Sequence, residues 1–195
     1  MMFQRVCVFC GSSAGRDPRF LEVARELGLC LAGRGMALVY GGAHVGLMGA
    51  IADTMLARGA EVIGVIPRGL VDREVAHERL TELRVVNTMH ERKALMADLA
   101  GAFVALPGGF GTLDEFFEIL TWAQLGIHRK PCGMLNVEGF FDPLLVYLDH
   151  AVEAGFLKQA HRDLFLVDTD AGRLLERMAG FESPVVGKWM DAGGR

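Results

Sequence analysis

The stretch from Pro107 to Glu115 has the composition of a site that holds an anion. It reads Pro-Gly-Gly-Phe-Gly-Thr-Leu-Asp-Glu and lies between two apolar runs, Ala102–Leu106 and Phe116–Leu125. The first run is typical of a buried strand and the second of a helix, so the glycines fall in the turn between them. Glycines let the backbone approach a ligand closely, and the first N–H groups of a helix are unpaired and partly positive. The pattern therefore predicts a phosphate at this turn, with the carboxylate of Glu115 one side chain away.

The same residues allow a purely structural interpretation. Thr112 and Glu115 have the spacing of a capping box, in which threonine caps a helix N-terminus and glutamate reaches back to it. Capping does not require the Pro-Gly-Gly-Phe-Gly run that precedes Thr112. We therefore favour a functional role, and both roles can hold at once.

A second cluster, Thr88 to Lys93, combines a capping box with two cations. Thr88 and Glu91 have the capping spacing, and Arg92 and Lys93 follow immediately. Positive charge is unfavourable near a helix N-terminus, so the two cations suggest a nearby anion. The alternative is that their aliphatic stems cover apolar surface while their charged ends reach water.

The segment from Arg68 to Asn87 is irregular and rich in charge. Most of its side chains fit a solvated surface, but a charged connection between ordered units can also cover a site. Glu74 is the residue of this segment that we expect to contact a ligand.

The rest of the chain alternates apolar runs with glycine-containing loops and helical segments. This alternation predicts one α/β domain over residues 1–182, a Rossmann-like, doubly wound parallel sheet flanked by helices, followed by a loosely held tail over 183–195. Ligands bind such folds at the carboxyl ends of strands, so Gly11 and Ser12, in the loop after the first strand, are also candidates. The predicted strands are Arg5–Cys10, Ala37–Tyr40, Glu61–Ile66, Ala102–Leu106, Lys130–Leu135 and Leu164–Val167.

Composition excludes several classes of function. The chain has 195 residues, a formal net charge of −4 and a pI of about 5.9, which argue against nucleic acid as the main partner. Neither a signal peptide nor an apolar stretch that could span a bilayer is recognisable, so we expect a cytoplasmic protein with its four cysteines reduced. Cys7 and Cys10 alone do not make a zinc site, and we expect no metal.

Seven motifs occur along the chain: Cys10-Gly-Ser-Ser, Tyr40-Gly-Gly, Gly46-Leu-Met-Gly, Gly64-Val-Ile-Pro, Met89-His-Glu-Arg-Lys, Pro107-Gly-Gly-Phe-Gly-Thr-Leu-Asp-Glu and Thr121-Trp-Ala-Gln-Leu-Gly. Together they resemble the Lonely Guy family from about Val6 to Phe165. Members of that family are cytokinin riboside 5′-monophosphate phosphoribohydrolases, and many also act on AMP. The resemblance implies an N-glycosyl hydrolase that needs no cofactor, forms a homodimer, and uses Arg92 and Glu115 as its catalytic pair. It implies a nucleotide-binding set of Glu74, Lys93, Gly108, Gly109, Gly111, Thr112 and Thr121.

The family usually has three glycines after the tyrosine, whereas this chain has Gly41, Gly42 and Ala43, followed by His44. His44 therefore receives no role from the resemblance. The apolar segment Phe116–Leu125 has almost no polar face, so it must be buried in the core or against a second copy.

Three other functions remain for comparison. A non-catalytic carrier of a nucleotide or cofactor would keep the glycine turn but would not need Arg92 together with Glu115. A lysine decarboxylase would need a cofactor-binding lysine, and the four lysines fall in no recognisable motif of that kind. An oxidoreductase that uses NAD is disfavoured because no G-x-G-x-x-G fingerprint is present. The choice between a cytokinin nucleotide and AMP is left open.

Overall fold

In the described part of the chain, seven parallel strands form one sheet with helices on both faces. The computed structural model describes residues 3–71 and 76–184. Glu74 and the predicted tail from residue 185 onward lie outside these ranges. The strands are β1 Arg5–Phe9, β2 Ala37–Tyr40, β3 Val62–Pro67, β4 Glu82–Val86, β5 Ala102–Ala105, β6 Cys132–Leu135 and β7 Phe165–Asp168; the helices are α1 Pro18–Gly33, α2 Gly46–Ala57, α3 Met89–Leu99, α4 Phe110–Gln124, α5 Asp142–Glu153, α6 Gln159–Arg162 and α7 Ala171–Ala179.

The strand order places a topological switch point in the middle of the sheet. The order is β4-β3-β2-β1-β5-β6-β7, and every strand pair is parallel. From β1 the chain moves outward in one direction through β4 and then returns to place β5 on the other side of β1. This arrangement confirms the predicted doubly wound α/β class, and such folds bind ligands where the direction reverses.

Successive side chains of β1 pack into two different apolar clusters, one on each face of the sheet. Val6 and Val8 pack into the cluster formed with α1, α2 and α7, whereas Cys7 and Phe9 pack into the cluster formed with α3, α4 and α5. Successive strand side chains point to opposite faces, so a strand buried on both faces is apolar throughout. This explains the continuous apolar runs that indicated strands in the sequence.

The prediction that residues 68–87 are irregular is wrong for part of that segment. Glu82–Val86 is an edge strand that pairs with β3, from Ile63 opposite Glu82 to Pro67 opposite Val86. Glu82 and Arg84 form an ion pair of 2.8 Å on it. An edge strand has one neighbour and tolerates exposed charges that discourage pairing with other chains, so its sequence lacks a long apolar run.

Polar side chains cap three of the described helices, and the cap of α3 was predicted from the spacing of Thr88 and Glu91. Asp17 caps α1 by accepting from the N–H of Arg19, Thr88 caps α3 by accepting from Glu91, and Asp170 caps α7 by accepting from Arg173. The carboxylate of Glu91 also accepts from the N–H of Asn87 at 2.8 Å, which completes the predicted reciprocal cap one residue early.

A buried carboxylate joins the end of β7 to α7. Asp168 accepts hydrogen bonds from Arg173 Nε and Arg177 Nη1, each at 2.9 Å, and from the N–H groups of Thr169 and Asp170. The hydrogen bond from Arg173 is the main reason that the pKa of Asp168 lies well below its usual range, and the backbone N–H of Asp170 and the hydrogen bond from Arg177 add to it against the effect of burial.

We predict that Asp168→Asn lowers the free energy of unfolding at pH 7 by about 1.5–3 kcal/mol, the range for hydrogen bonds to a charged group. Because the folded-state pKa is lowered, the stabilisation is present above the unfolded pKa of about 4 and declines as the pH falls below it. Urea unfolding should therefore show the difference between wild type and variant narrowing below about pH 4. Asp163→Asn, at an exposed carboxylate, is the control and should change little.

Candidate active site

The loops that follow β1 and β5 are joined at the switch point. The N–H of Gly11 donates to the carbonyl of Pro107 at 3.0 Å. A Cβ on Gly108 would collide with the side chain of Thr112 and lie 2.9 Å from the nitrogen of Gly11. A glycine is therefore required at position 108 for the two loops and the first turn of α4 to pack together.

The helix α4 begins earlier than the capping-box interpretation required. Its N-cap is Gly109, which has no side chain to accept a capping hydrogen bond. Thr112 is the third residue of the helix and is buried. Glu115 consequently lies in the second turn, so the prediction that Thr112 and Glu115 cap this helix is wrong. The reason is that Phe110 and Gly111 adopt helical geometry before Thr112, which the spacing of Thr112 and Glu115 alone did not reveal.

The early start of α4 places unpaired donors at the mouth of a cleft. The first intrahelical hydrogen bond runs from the N–H of Leu113 to the carbonyl of Gly109 at 3.2 Å. The N–H groups of the three preceding residues, Phe110 to Thr112, have no acceptor within the helix, as in the first turn of any α-helix. Together with the helix dipole they favour an anion at this position.

Arg92 and Glu115 meet inside the same cleft. The Nη2 atom of Arg92 lies 3.9 Å from Oε1 of Glu115, and the two side chains are 7% and 12% exposed. The same Nη2 donates to the carbonyl of Gly41 at 3.3 Å. A Cβ on Gly41 would collide with Nη2, so a glycine at the end of β2 is what lets the guanidinium reach this position.

The two thiols beneath the pair remain protonated near neutral pH. Burial raises the pKa of Cys7, and the nearby Glu115 raises it further, against a smaller opposing effect of Arg92. Burial and Glu115 also raise the pKa of Cys10. Both cysteines are therefore neutral thiols and not nucleophiles; Cys10 lines the cleft, and Cys7 is buried in the core.

Lys93 contacts carboxylates of α4 beside the catalytic candidates. Its Nζ lies 3.0 Å from Oε2 of Glu118 and 3.2 Å from Oδ2 of Asp114. Its side chain is 11% exposed. The interpretation that Arg92 and Lys93 send their charged ends into water is therefore wrong, because both ends lie against carboxylates of the neighbouring helix.

The cleft has a volume of about 310 Å³, the size of a small-molecule site. Arg92 and Glu115 line it together with apolar side chains such as Met48 and Met89. Among the described residues, no three His, Cys, Asp or Glu side chains are grouped as ligands for a metal ion. The cleft is lined by Val8, Cys10, Gly11, Ser12, Gly41, Met48, Met89, Arg92, Gly109, Phe110, Gly111, Thr112, Asp114 and Glu115.

Comparison with known proteins agrees with this geometry. A family profile described as "Possible lysine decarboxylase" matches residues 48–178. A probable cytokinin riboside 5′-monophosphate phosphoribohydrolase of Oryza sativa subsp. japonica is 52% identical over 176 residues, which are 90% of this chain and 78% of that protein. A cytokinin riboside 5′-monophosphate phosphoribohydrolase of Arabidopsis thaliana is 48% identical over 180 residues, 92% of this chain and 83% of that protein.

The chain belongs to the Lonely Guy family. Solved structures of more distant proteins share its fold. The molybdenum cofactor carrier protein of Chlamydomonas reinhardtii has a TM-score of 0.66 at 22% identity, covering 88% of this chain and 93% of that one. The molybdenum cofactor binding protein of Rippkaea orientalis has a TM-score of 0.66 at 20% identity, with the same coverage. At this identity the likeness shows the fold alone.

The structure brings most of the candidate site residues of the sequence analysis into one place. Gly108 lies behind the cleft wall, Lys93 lies beside it, and Thr121 is exposed on α4, where its hydroxyl donates to the carbonyl of Phe117 at 2.7 Å. Thr121 does not line the cleft of its own chain. Those that line it are Gly11, Ser12, Arg92, Gly109, Gly111, Thr112 and Glu115.

Seven of the described residues that line the cleft were not selected from the sequence: Val8, Cys10, Gly41, Met48, Met89, Phe110 and Asp114. All of them except Val8 belong to motifs quoted for the Lonely Guy resemblance, so position within a motif was the available signal. Phe110 is 94% exposed at the rim of the cleft, and only the start of α4 reveals that it points away from the core. His44 is exposed and lines a separate cavity with Asp53.

Gly111 provides a test that separates ligand binding from folding. A Cβ on this helical residue meets nothing within 4 Å beyond its own helix, so the described part of the fold does not require a glycine there. We predict that Gly111→Val weakens binding of ribose 5-phosphate at least tenfold, because the side chain fills the space beside the unpaired N–H groups. Its melting temperature should stay close to that of wild type, since valine is no worse than glycine within a helix.

The matched control is Gly33→Val, because Gly33 is also helical and also has open space around its Cβ position. Calorimetric titration should show unchanged affinity for this control. Equal affinity of Gly111→Val and wild type would rule out anion binding at the first turn of α4.

Proposed function

We propose that this protein hydrolyses the N-glycosidic bond of a purine riboside 5′-monophosphate, either a cytokinin nucleotide or AMP, releasing the free base and ribose 5-phosphate. The observation that carries the proposal is the buried Arg92–Glu115 pair in the same cleft as the N-terminus of α4. The names of the close relatives support the reaction class, since they are phosphoribohydrolases of cytokinin nucleotides.

Substrate binding begins with the phosphate. The N–H groups of Phe110, Gly111 and Thr112 bind its oxygens, and the dipole of α4 favours its charge. This contact fixes the nucleotide so that its anomeric carbon faces Glu115, one turn further along the helix. Holding the reacting atoms in place removes much of the entropic part of the barrier.

Bond cleavage then places positive charge on the ribose. The bond between the anomeric carbon and the base nitrogen breaks, its electron pair leaves with the base, and a water oxygen bonds to the anomeric carbon. The carboxylate of Glu115 stabilises the cationic sugar, orients the water and accepts one of its protons. The departing base takes up a proton from solvent, and Glu115 then releases the proton that it accepted, so that protons and charge balance.

Arg92 keeps Glu115 ready for this step. A guanidinium 3.9 Å away attracts the carboxylate and limits its rotation. The hydrogen bond from Arg92 to the carbonyl of Gly41 fixes the guanidinium in turn. The same cation lies at the cleft surface and can attract the substrate phosphate.

The surroundings of the lysines speak against the decarboxylase in the family description. A lysine that holds pyridoxal phosphate must react as a neutral amine. Burial alone would lower the pKa of Lys93, but hydrogen bonds to Glu118 and Asp114 raise it above its usual value. Lys130 donates to the carbonyl of Ala97 at 2.8 Å.

We further propose a cytoplasmic homodimer packed along α4. Leu125 and Ile127 at the end of this helix are 43% and 65% exposed, although they continue an otherwise apolar segment. Burying them against a second copy removes apolar surface from water. A monomer mass in solution at micromolar concentration would contradict the dimer.

No helix in residues 3–71 and 76–184 has the length and apolar character to cross a membrane.

The catalytic assignment predicts the behaviour of two variants. Glu115→Gln keeps the size and hydrogen-bonding capacity of the side chain but removes its charge, so release of adenine from AMP should fall by about 10²-fold or more. Arg92→Ala should also lower the rate, because Glu115 loses its fixed partner. Chromatography of the free base, alongside a thermal melt of each variant, is the measurement.

The control is Glu91→Gln, on the turn that carries Arg92. Glutamine can replace glutamate in a capping box, so this variant should retain the wild-type rate. Near-normal base release from Glu115→Gln would falsify the catalytic role. Binding of AMP by wild type without any release would instead favour a nucleotide carrier. Comparing AMP with N6-isopentenyl AMP would identify the preferred substrate.

A further inference from the structure

Lys93 connects α3 to α4 at two points. Its Nζ contacts Asp114 and Glu118 at 3.2 and 3.0 Å. These two acids are four residues apart, so they lie on one face of α4, separated by about one turn. An ammonium group between them restricts both the rotation and the sliding of α4 against α3.

The Lys93 contacts lie directly beside the catalytic pair. Arg92 and Lys93 are consecutive on α3, and Glu115 lies between Asp114 and Glu118 in sequence on α4. Any shift of α4 that lengthens the Lys93 contacts also moves Glu115 relative to Arg92, whose 3.9 Å separation is already at the limit of an ion pair. The pair is therefore sensitive to how well Lys93 holds the two helices together.

Charge repulsion adds to this dependence. Acids at positions i and i+4 of a helix repel each other, and Glu115 lies between the two. Neutralising Asp114 and Glu118 also limits the negative field of α4 near the position where a phosphate must bind. With its charge engaged by two carboxylates, Lys93 is poorly placed to act as a phosphate ligand.

We propose that Lys93 is a positioning residue that holds Glu115 opposite Arg92 through Asp114 and Glu118, and is not a ligand of the substrate phosphate. The inference rests on the proposed hydrolase function. It assigns to Lys93 a different role from the nucleotide binding that the family resemblance implies.

The two roles predict opposite effects of removing the partner carboxylate. If Lys93 bound phosphate, Glu118→Gln would release the ammonium toward the substrate, and activity would be kept or improved. If Lys93 positions α4, Glu118→Gln loosens the same contact as Lys93→Met, and both variants lose turnover. The double variant should then be no worse than Lys93→Met, because each change removes the same interaction.

The test measures kcat and KM for base release from AMP and from adenosine by wild type, Lys93→Met, Lys93→Arg, Glu118→Gln and the double variant. We expect kcat of Lys93→Met to fall about tenfold to a hundredfold, the scale of a small misplacement of reacting groups. The KM for AMP should stay within about threefold of wild type, and the preference for AMP over adenosine should be preserved. Lys93→Arg should recover part of kcat, and Lys158→Met, at an exposed lysine, should match wild type.

A collapse of the preference for AMP over adenosine in Lys93→Met, with KM raised, would overturn the inference. Wild-type kcat in Glu118→Gln beside a damaged Lys93→Met would do the same. If Lys93→Met does not fold, Lys93→Arg and Glu118→Gln decide the question by the same split between kcat and KM. Absence of base release by wild type would overturn the proposed hydrolase function itself, an outcome distinct from those of the variants.

Discussion

The buried ion pair between Arg92 and Glu115 is the interaction on which the arrangement of the site depends. Two charges with 7% and 12% exposure are stable only when each has partners, because burial of an unpaired charge costs several kcal/mol. The structure supplies them through the carbonyl of Gly41 and the close approach of α3 to α4. Removing one partner therefore leaves the other charge buried without its ion-pair partner and disturbs the packing of α3 against α4.

The sheet topology explains why these residues can meet at all. Reversal of strand order between β1 and β5 opens a crevice at their carboxyl ends, and β2 lies next to β1. Three segments far apart in sequence, around Gly11, Gly41 and Gly109, therefore converge on one cleft. Glycines at these ends let the backbones and Arg92 approach each other without side chains between them.

The first turn of α4 and the turns that follow it differ in the charge that they present. Its first turn offers unpaired N–H groups to an anion, whereas its second and third turns present three carboxylates to the cations of α3. A phosphate at one end and acids further along would repel each other in the absence of Arg92 and Lys93. The two cations of α3 make the combination compatible within a single helix.

Much of the fold could be predicted from local patterns. Continuous apolar runs identified six of the seven described strands, and the capping spacing of Thr88 and Glu91 marked the start of α3. The edge strand β4 was missed because one-sided pairing imposes no apolar run on its sequence. The start of α4 was placed too late because Thr112 has the spacing of a cap whether or not the helix begins before it.

The sequence by itself determined which chemistry is available: a glycine turn before a helix, an acid shortly after it, and adjacent cations on another helix. Those features depend on residue types within short windows, where propensity and periodicity act directly. Only the tertiary structure decided that Arg92 faces Glu115, that Lys93 is held by Asp114 and Glu118, and that Thr121 lies outside the cleft of its own chain. Partners such as Lys93 and Asp114 are 21 positions apart, and the distance between them is set by strand order and helix packing, which no local pattern encodes.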